Sequence, residues 1–226
     1  MKKFLTAVAA AAAFVASPVL AHHDPIGPEH DNTKHAQGCM MLMECEDGLV
    51  KLESVDDLRR LYPDQDWSVI ATEVNEMLAH LTKLGIPVHV GDQKYFMLNE
   101  MALYDTAYNR VWISDRVAQK PWSFMNSFRH EAWHTAQDCM AGGINNTYMA
   151  VIYGSEGTPA MWTAMAERLY PPQILEWEAE AKWAGAEVGM TNEALAACTS
   201  TNQKPWRVMS PTPMTMEWLE SKGYTN

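Results

Sequence analysis

The sequence predicts an α+β fold, mostly helical, with a small antiparallel or mixed sheet beside one long helix. Three observations predict it. Ile86–Val90 and Val111–Asp115 are short apolar, β-branched runs that read as strands. The segments around them repeat apolar residues at helical spacing. No internal repeat and no Ser/Gly-rich linker divides the 226 residues, so the few strands and the following helices belong together.

Residues 1–21 stand apart from the fold. Lys2 and Lys3 precede the apolar run Phe4–Val15, and Val19-Leu20-Ala21 offers small or apolar residues for cleavage. This is the pattern of a secretory signal peptide, too short to span a bilayer stably. Cleavage after Ala21 leaves about 205 residues, enough for one sizeable core, and implies a secreted or periplasmic protein. Residues 22–66 read as an N-terminal tail and a short helix, and residues 67–226 as the main domain. The tail carries His22, His23, His30 and His35 among acids; it reads as a mobile segment or as a secondary metal-capturing one. Met40–Met43 reads as a core anchor.

Within the fold, Ser54 caps a short helix over 55–61. Trp67–Leu84 has Trp67, Ile70, Val74, Met77, Leu78 and Leu81 on one side, and Gly85 ends it. The strand at 86–90 follows, with a further strand at 95–98. A turn at Asn109-Arg110 leads into the strand at 111–115. The next helix starts after Pro121 with Ser123 as its cap, runs about five turns and stops at Gly142-Gly143. Residues 158–169 form another helix, with Glu167 and Arg168 exposed. Pro171-Pro172 opens a long one over 173–188.

Four cysteines in an exported chain suggest two disulfides. Of the three pairings, Cys39–Cys45 with Cys139–Cys198 is favoured: one short local loop and one long one. The formal charge of −11 becomes more negative when Lys2 and Lys3 leave. Such an acidic body argues against nucleic acid or an anionic membrane as partner.

The helix after Pro121 carries the chemistry. His130-Glu131-Ala132-Trp133-His134 reads H-E-x-x-H. Positions i and i+4 share one helix face, so His130 and His134 can offer two imidazoles to one ion. Glu131 sits beside the ion, where it can take a proton from a bound water. Phe124, Phe128, Ala132 and Ala136 recur at i+4 and face a core. A third ligand is needed. Position 137 is Gln and position 140 is Met, so no histidine follows closely, and a carboxylate from a later helix is the other common solution. Leu175–Gly185 supplies Glu176, Glu178 and Glu180 on an otherwise apolar helix whose covered carboxylates want a cation or a proton. Trp177, Ala181, Ala184 and Val188 form one apolar stripe; Leu175, Ala179, Trp183 and Ala186 form a second. The plain alternative is solvated glutamates, with Glu178 and Lys182 as a surface i,i+4 pair.

On these two motifs the chain resembles the gluzincin branch of the zincin metallopeptidases, over roughly residues 86–190. The resemblance implies a zincin-like fold, a Zn²⁺ ion held by His130, His134 and a glutamate, and Glu131 as general base for a zinc-bound water that hydrolyses a peptide bond. Glu178-Ala179-Glu180-Ala181 and Glu176-Trp177-Glu178-Ala179 both match the family's glutamate helix. The first is preferred because the run from Glu178 to Gly185 looks most like the related helices, although family members often carry an acid after the alanine, where this chain has Lys182. The first frame makes Glu178 the ligand; the second makes it Glu176, followed by the acid Glu180, which could hold the second nitrogen of a ligand histidine. The family also implies that the strand at 111–115 is an edge strand lining the substrate cleft.

The expected partner is a peptide or protein substrate, basic if the cleft shares the acidity of the surface. Tyr148, Tyr153 and Tyr170 are oxyanion-stabilising candidates by position, and none is assigned. Gln137, one turn after His134, packs or hydrogen-bonds beside the site. Two other classes compete: a secreted zinc-binding protein without hydrolytic activity, and a metal-free interaction domain.

Overall fold

The computed structural model describes residues 48–97, 100–145, 147–200 and residue 223. The signal peptide, the histidine-rich tail, Met40–Met43 and the Cys39–Cys45 pairing lie outside these residues. The fold is α+β with a small mixed sheet beside the motif helix.

Strand β1 (Leu49–Leu52) leads into helix α1 (Val55–Leu61). Ser54 caps that helix as expected, in a reciprocal capping box with Asp57. Helix α2 is Ala71–Leu84 and ends at Gly85, whose φ of 78° closes the last turn. Trp67 and Ile70 precede this helix rather than belong to it, yet they bury on the same side as Val74, Met77, Leu78 and Leu81. Strand β2 (Val88–Gly91) follows. No strand forms over 95–97: Asp92 caps a 3₁₀ turn at Gln93–Tyr95, and Tyr95 and Phe96 fold against Leu103 and Trp112 instead. The strand comes later, as β3 (Ala102–Asp105). Asn109, with a φ of 54°, turns the chain into β4 (Arg110–Ser114).

The sheet order is β1-β2-β4-β3. β4 runs parallel to β2 and antiparallel to β3. The edge beside the motif helix is therefore β3, and the expectation that residues 111–115 form the cleft edge is corrected. The all-apolar core of Val111-Trp112-Ile113, completely buried, is what an interior strand requires.

A short turn of helix α3 (Asp115–Ala118) precedes the motif helix α4 (Pro121–Met140). Lys120 is the N-cap and Pro121 occupies the first turn, so Ser123 lies inside the helix rather than capping it. Then come α5 (Gly154–Gly157), α6 (Ala160–Ala166), α7 (Leu175–Ala186) and α8 (Met190–Thr199). Helix α8 has no counterpart in the sequence reading. It packs on α2 and α4, and Leu195 joins the core made by α2, the sheet and the first half of α4. A second cluster gathers Trp133, Ala136 and Met140 of α4 with Ala181, Ala184 and Ala194. The Cys139–Cys198 disulfide ties the end of α4 to α8. No helix among the described residues is long and apolar enough to cross a membrane.

Candidate metal centre

Helix α4 is unusual in how many polar residues it buries. Arg129, Glu131, His134, Thr135, Gln137 and Asp138 are all buried. Buried polar groups need partners, and the partners place the neighbouring elements.

Two imidazoles of the same helix face α7. His130 and His134, one turn apart, meet at a ring separation of 4.9 Å. Between them lies Glu178, which is 2% exposed. Its Oε2 is 3.4 Å from Nε2 of His130 and its Oε1 is 3.5 Å from Nε2 of His134. One donor atom from each of the three lies within 4.8 Å of the others, the single such group of metal-binding side chains among the described residues. Tetrahedral zinc with bonds of about 2.0–2.2 Å needs donors about 3.4 Å apart. Glu178 Oε2 is buried and makes no hydrogen bond, as a carboxylate oxygen reserved for a cation would. The donor set fits a divalent metal ion.

Gly185 explains why α7 can come so near. A Cβ at this position would stand 2.9 Å from the backbone oxygen of Asn126 and 3.5 Å from Cβ of His130. Only glycine allows that approach.

The two other acids of α7 have different fates. Glu176 is exposed to solvent. Glu180 is fully buried but points away from the donors. Its carboxylate accepts backbone N–H bonds from Ile152 at 3.0 Å, from Tyr153 and from Gly154 at 2.7 Å. It also accepts from Gln137 Nε2 at 2.8 Å, while Gln137 Oε1 lies 2.8 Å from Nδ1 of His134. Glu180 thus reaches a histidine only through Gln137. That bond directs the His134 Nδ1 proton to Gln137 and leaves Nε2 for a ligand. Of the apolar stripes expected on α7, Ala179, Ala181 and Ala184 are buried. Val188 lies beyond the helix and is 74% exposed.

Electrostatics follow the burial. Burial resists charge on His130, but Glu178 and Glu131 outweigh it and raise its pKa. Burial lowers the pKa of His134 against the pull of Glu178. For Glu178 burial favours the neutral acid, yet His134 and His130 hold the pKa below its ordinary value. Glu131 is pushed up to about 7, first by burial and then by the Glu178 and Glu100 carboxylates, against the charge of His130. The backbone N–H of Tyr104, on β3, donates to Glu131. The Tyr104 hydroxyl donates to Asp138 on α4 at 2.7 Å. One residue of the edge strand therefore holds both Glu131 and the helix that carries it.

Sequence reasoning missed three contributors. Tyr104 sits in a strand that was not foreseen. Glu100, buried and pushed up to about 7 by that burial, lies next to the same strand. Lys182 on α7 is the third: burial lowers its pKa, against the pull of Glu178 and Glu131. Of the three tyrosines, Tyr153 stacks on Trp133 and Tyr148 packs on the second cluster. The Tyr170 hydroxyl faces the Glu178 carboxylate. No protein-family model, curated protein or solved structure matches the chain.

Proposed function

We propose that the chain is an exported zinc-dependent metallopeptidase of gluzincin type, with His130, His134 and Glu178 as ligands and Glu131 as general base. The observation that carries this reading is the convergence of two helix-borne imidazoles and one buried carboxylate, with a second buried carboxylate next to them. Bound zinc would supply a Lewis acid that polarises a carbonyl and lowers the pKa of water towards about 7. The chain's own groups do the rest. Glu131, pushed up to about 7 by burial, is matched to accept and return a proton near neutral pH. The Tyr104 N–H fixes its carboxylate against β3. Gln137 fixes the ring of His134.

A peptide is favoured as substrate because an edge strand borders the site. The backbone of Met101 bonds inward to Ser114, so alternation turns the backbone groups of Ala102 and the carbonyl of Tyr104 outward, where an extended chain can pair, while the Tyr104 N–H is given to Glu131. A surface pocket of about 420 Å³ opens between Met101 at the start of that strand and Asn126 and Ser127, one turn of α4 before His130.

The test is zinc content and peptide-library cleavage for the wild type and Glu131→Gln. We expect one zinc per chain in both and hydrolysis only in the wild type, with a loss of at least about a hundredfold in the variant. Full zinc with no cleavage of any peptide by the wild type would favour a zinc-binding protein without hydrolytic activity. No metal after zinc is added back would sink both readings.

A further inference from the structure

The α7 helix carries a cation where its neighbours hold carboxylates and imidazoles. Lys182 lies one turn after Glu178, on the same face. The surface-pair alternative would join these two, but both oxygens of Glu178 are directed at the histidines. Among the described residues Lys182 forms no ion pair. Its ammonium instead sits over the ring of Tyr170, 5.1 Å from the centroid. Tyr170 in turn turns its hydroxyl to Glu178, which places the ammonium on the flank of the metal centre.

Lys182 is partly buried. Removing an ammonium from water without a paired anion costs free energy, and a ring face offsets only part of that cost. Lysine can avoid the cost by extending to solvent; this one folds back over Tyr170. An anion supplied from outside the chain would complete the arrangement.

We propose that Lys182 is a specificity-determining residue that binds a carboxylate of the substrate beside the metal centre, so that preferred peptides carry an anionic group close to the scissile bond. This rests on the peptidase reading for its substrate, not for its binding chemistry. It also replaces the expectation of basic substrates, which assumed that the cleft shares the charge of the surface. The carboxylate has two sources: a free C-terminus or an Asp or Glu side chain.

The experiment uses the zinc-loaded full chain as wild type, Lys182→Met, Lys182→Glu and Lys182→Arg. Succinic acid monohydroxamate and its primary amide are titrated calorimetrically into each, and zinc content is measured as a control for the intact site. The wild type should bind the carboxylate form about tenfold more tightly than the amide, as a charge-assisted hydrogen bond requires. Lys182→Arg should keep the preference, Lys182→Met should abolish it and Lys182→Glu should reverse it, all with one zinc per chain. Matched peptides then separate the sources. A Glu-to-Gln change near the cleaved bond reports on a side chain, and a C-terminal acid-to-amide change reports on the terminus. A lower kcat/KM for one of the two neutralised peptides, arising in KM and lost in Lys182→Met, names the source. Equal or absent binding of the two hydroxamates by the wild type, or a preference that survives in Lys182→Met, overturns the assignment. A preference in binding with no cleavage of any peptide leaves Lys182 as the anion site and sinks the peptidase reading.

Discussion

Replacing Glu178 and Glu180 separately by Gln tests whether two buried acids on one helix have the different roles their contacts give them. Glu180 accepts four hydrogen bonds, two on each oxygen: Gln137 and Ile152 on Oε2, Tyr153 and Gly154 on Oε1. A glutamine side chain has one acceptor oxygen and an NH₂ group. In Glu180→Gln, two of the four N–H donors keep an acceptor and two face another donor. Each buried donor left unsatisfied costs about 1–3 kcal/mol, so the metal-free protein should lose about 2–6 kcal/mol. For a chain of this size that is a fall in melting temperature on the order of 10 °C. Zinc affinity should fall about 10–100-fold, because Gln137 loses its anchor and His134 its orientation.

Glu178→Gln should behave in the opposite manner. Its Oε2 makes no hydrogen bond, and the flanking imidazoles can release a proton rather than stay charged and unpaired. The metal-free protein should change by about 1 kcal/mol or less, since the lost ion pair and the relieved desolvation nearly cancel. Zinc affinity should fall by more than in Glu180→Gln, because a ligand itself is gone. The assays are thermal melts in chelator and a competitive zinc titration. If Glu178→Gln lowers the melting temperature more than Glu180→Gln, or binds zinc as tightly as the wild type, the division into ligand and scaffold is wrong.

Three further outcomes follow from the packing. Gly185→Ala should destabilise by up to about 2 kcal/mol: the clash with the Asn126 oxygen at 2.9 Å costs about 1–3 kcal/mol, and the gain in helix propensity of about 1 kcal/mol offsets part of it. A variant as stable as the wild type in urea, with unchanged zinc affinity, would show that α7 does not need this approach. Asp138, fully buried, is pushed up to about 7 by that burial, against the Tyr104 hydrogen bond. Its folded pKa lies above the unfolded one, so its contribution is complete below about 4 and is lost as pH rises towards 7. Asp138→Asn should therefore gain stability relative to the wild type on going from pH 4 to pH 8, on the order of 2–4 kcal/mol by urea melts. A pH-independent difference would refute this. Reducing the Cys139–Cys198 bridge, whose partners are 59 residues apart, should cost about 4 kcal/mol, seen as a lower urea midpoint in reductant that Cys139→Ala/Cys198→Ala reproduces.

The elements that were legible in the sequence are those whose residues repeat a strong local signal. Ser54 with Asp57, Gly85, the β-branched strands and the i,i+4 phenylalanines of α4 each specify their conformation within a few residues. Strand β3 was illegible because Tyr95 and Phe96 carry the stronger β propensity nearby, and Asp92 commits them to a turn that only tertiary burial rewards. Helix α8 starts Met-Thr-Asn-Glu and then runs through small residues, so its apolar face is weak until α2 and α4 cover it. The candidate metal donors were legible in part. Glu176, Glu178 and Glu180 are two residues apart, and charge alone does not rank them. The ranking signal is Gly185, seven residues or nearly two turns after Glu178. A glycine inside a helix marks its closest approach to a neighbour, and Glu178 shares its face.

The buried polar groups of α4 assign that helix a neighbour for nearly every one of its turns. Arg129 holds Glu73 of α2 through two hydrogen bonds of 2.8 and 2.6 Å, and its carbonyl accepts from Thr191 of α8 at 3.0 Å. His130 and His134 address α7, Gln137 addresses Glu180 and the loop at 152–154, and Asp138 addresses the edge strand. An apolar helix of the same shape would pack as tightly, but its neighbours could slide along it. A donor arrangement for one ion tolerates displacements of a few tenths of an ångström, and non-directional packing does not hold helices to that precision. The expensive burial of directional groups on either side of His130 and His134 is therefore the means by which the neighbouring elements are brought to one register around the candidate metal centre.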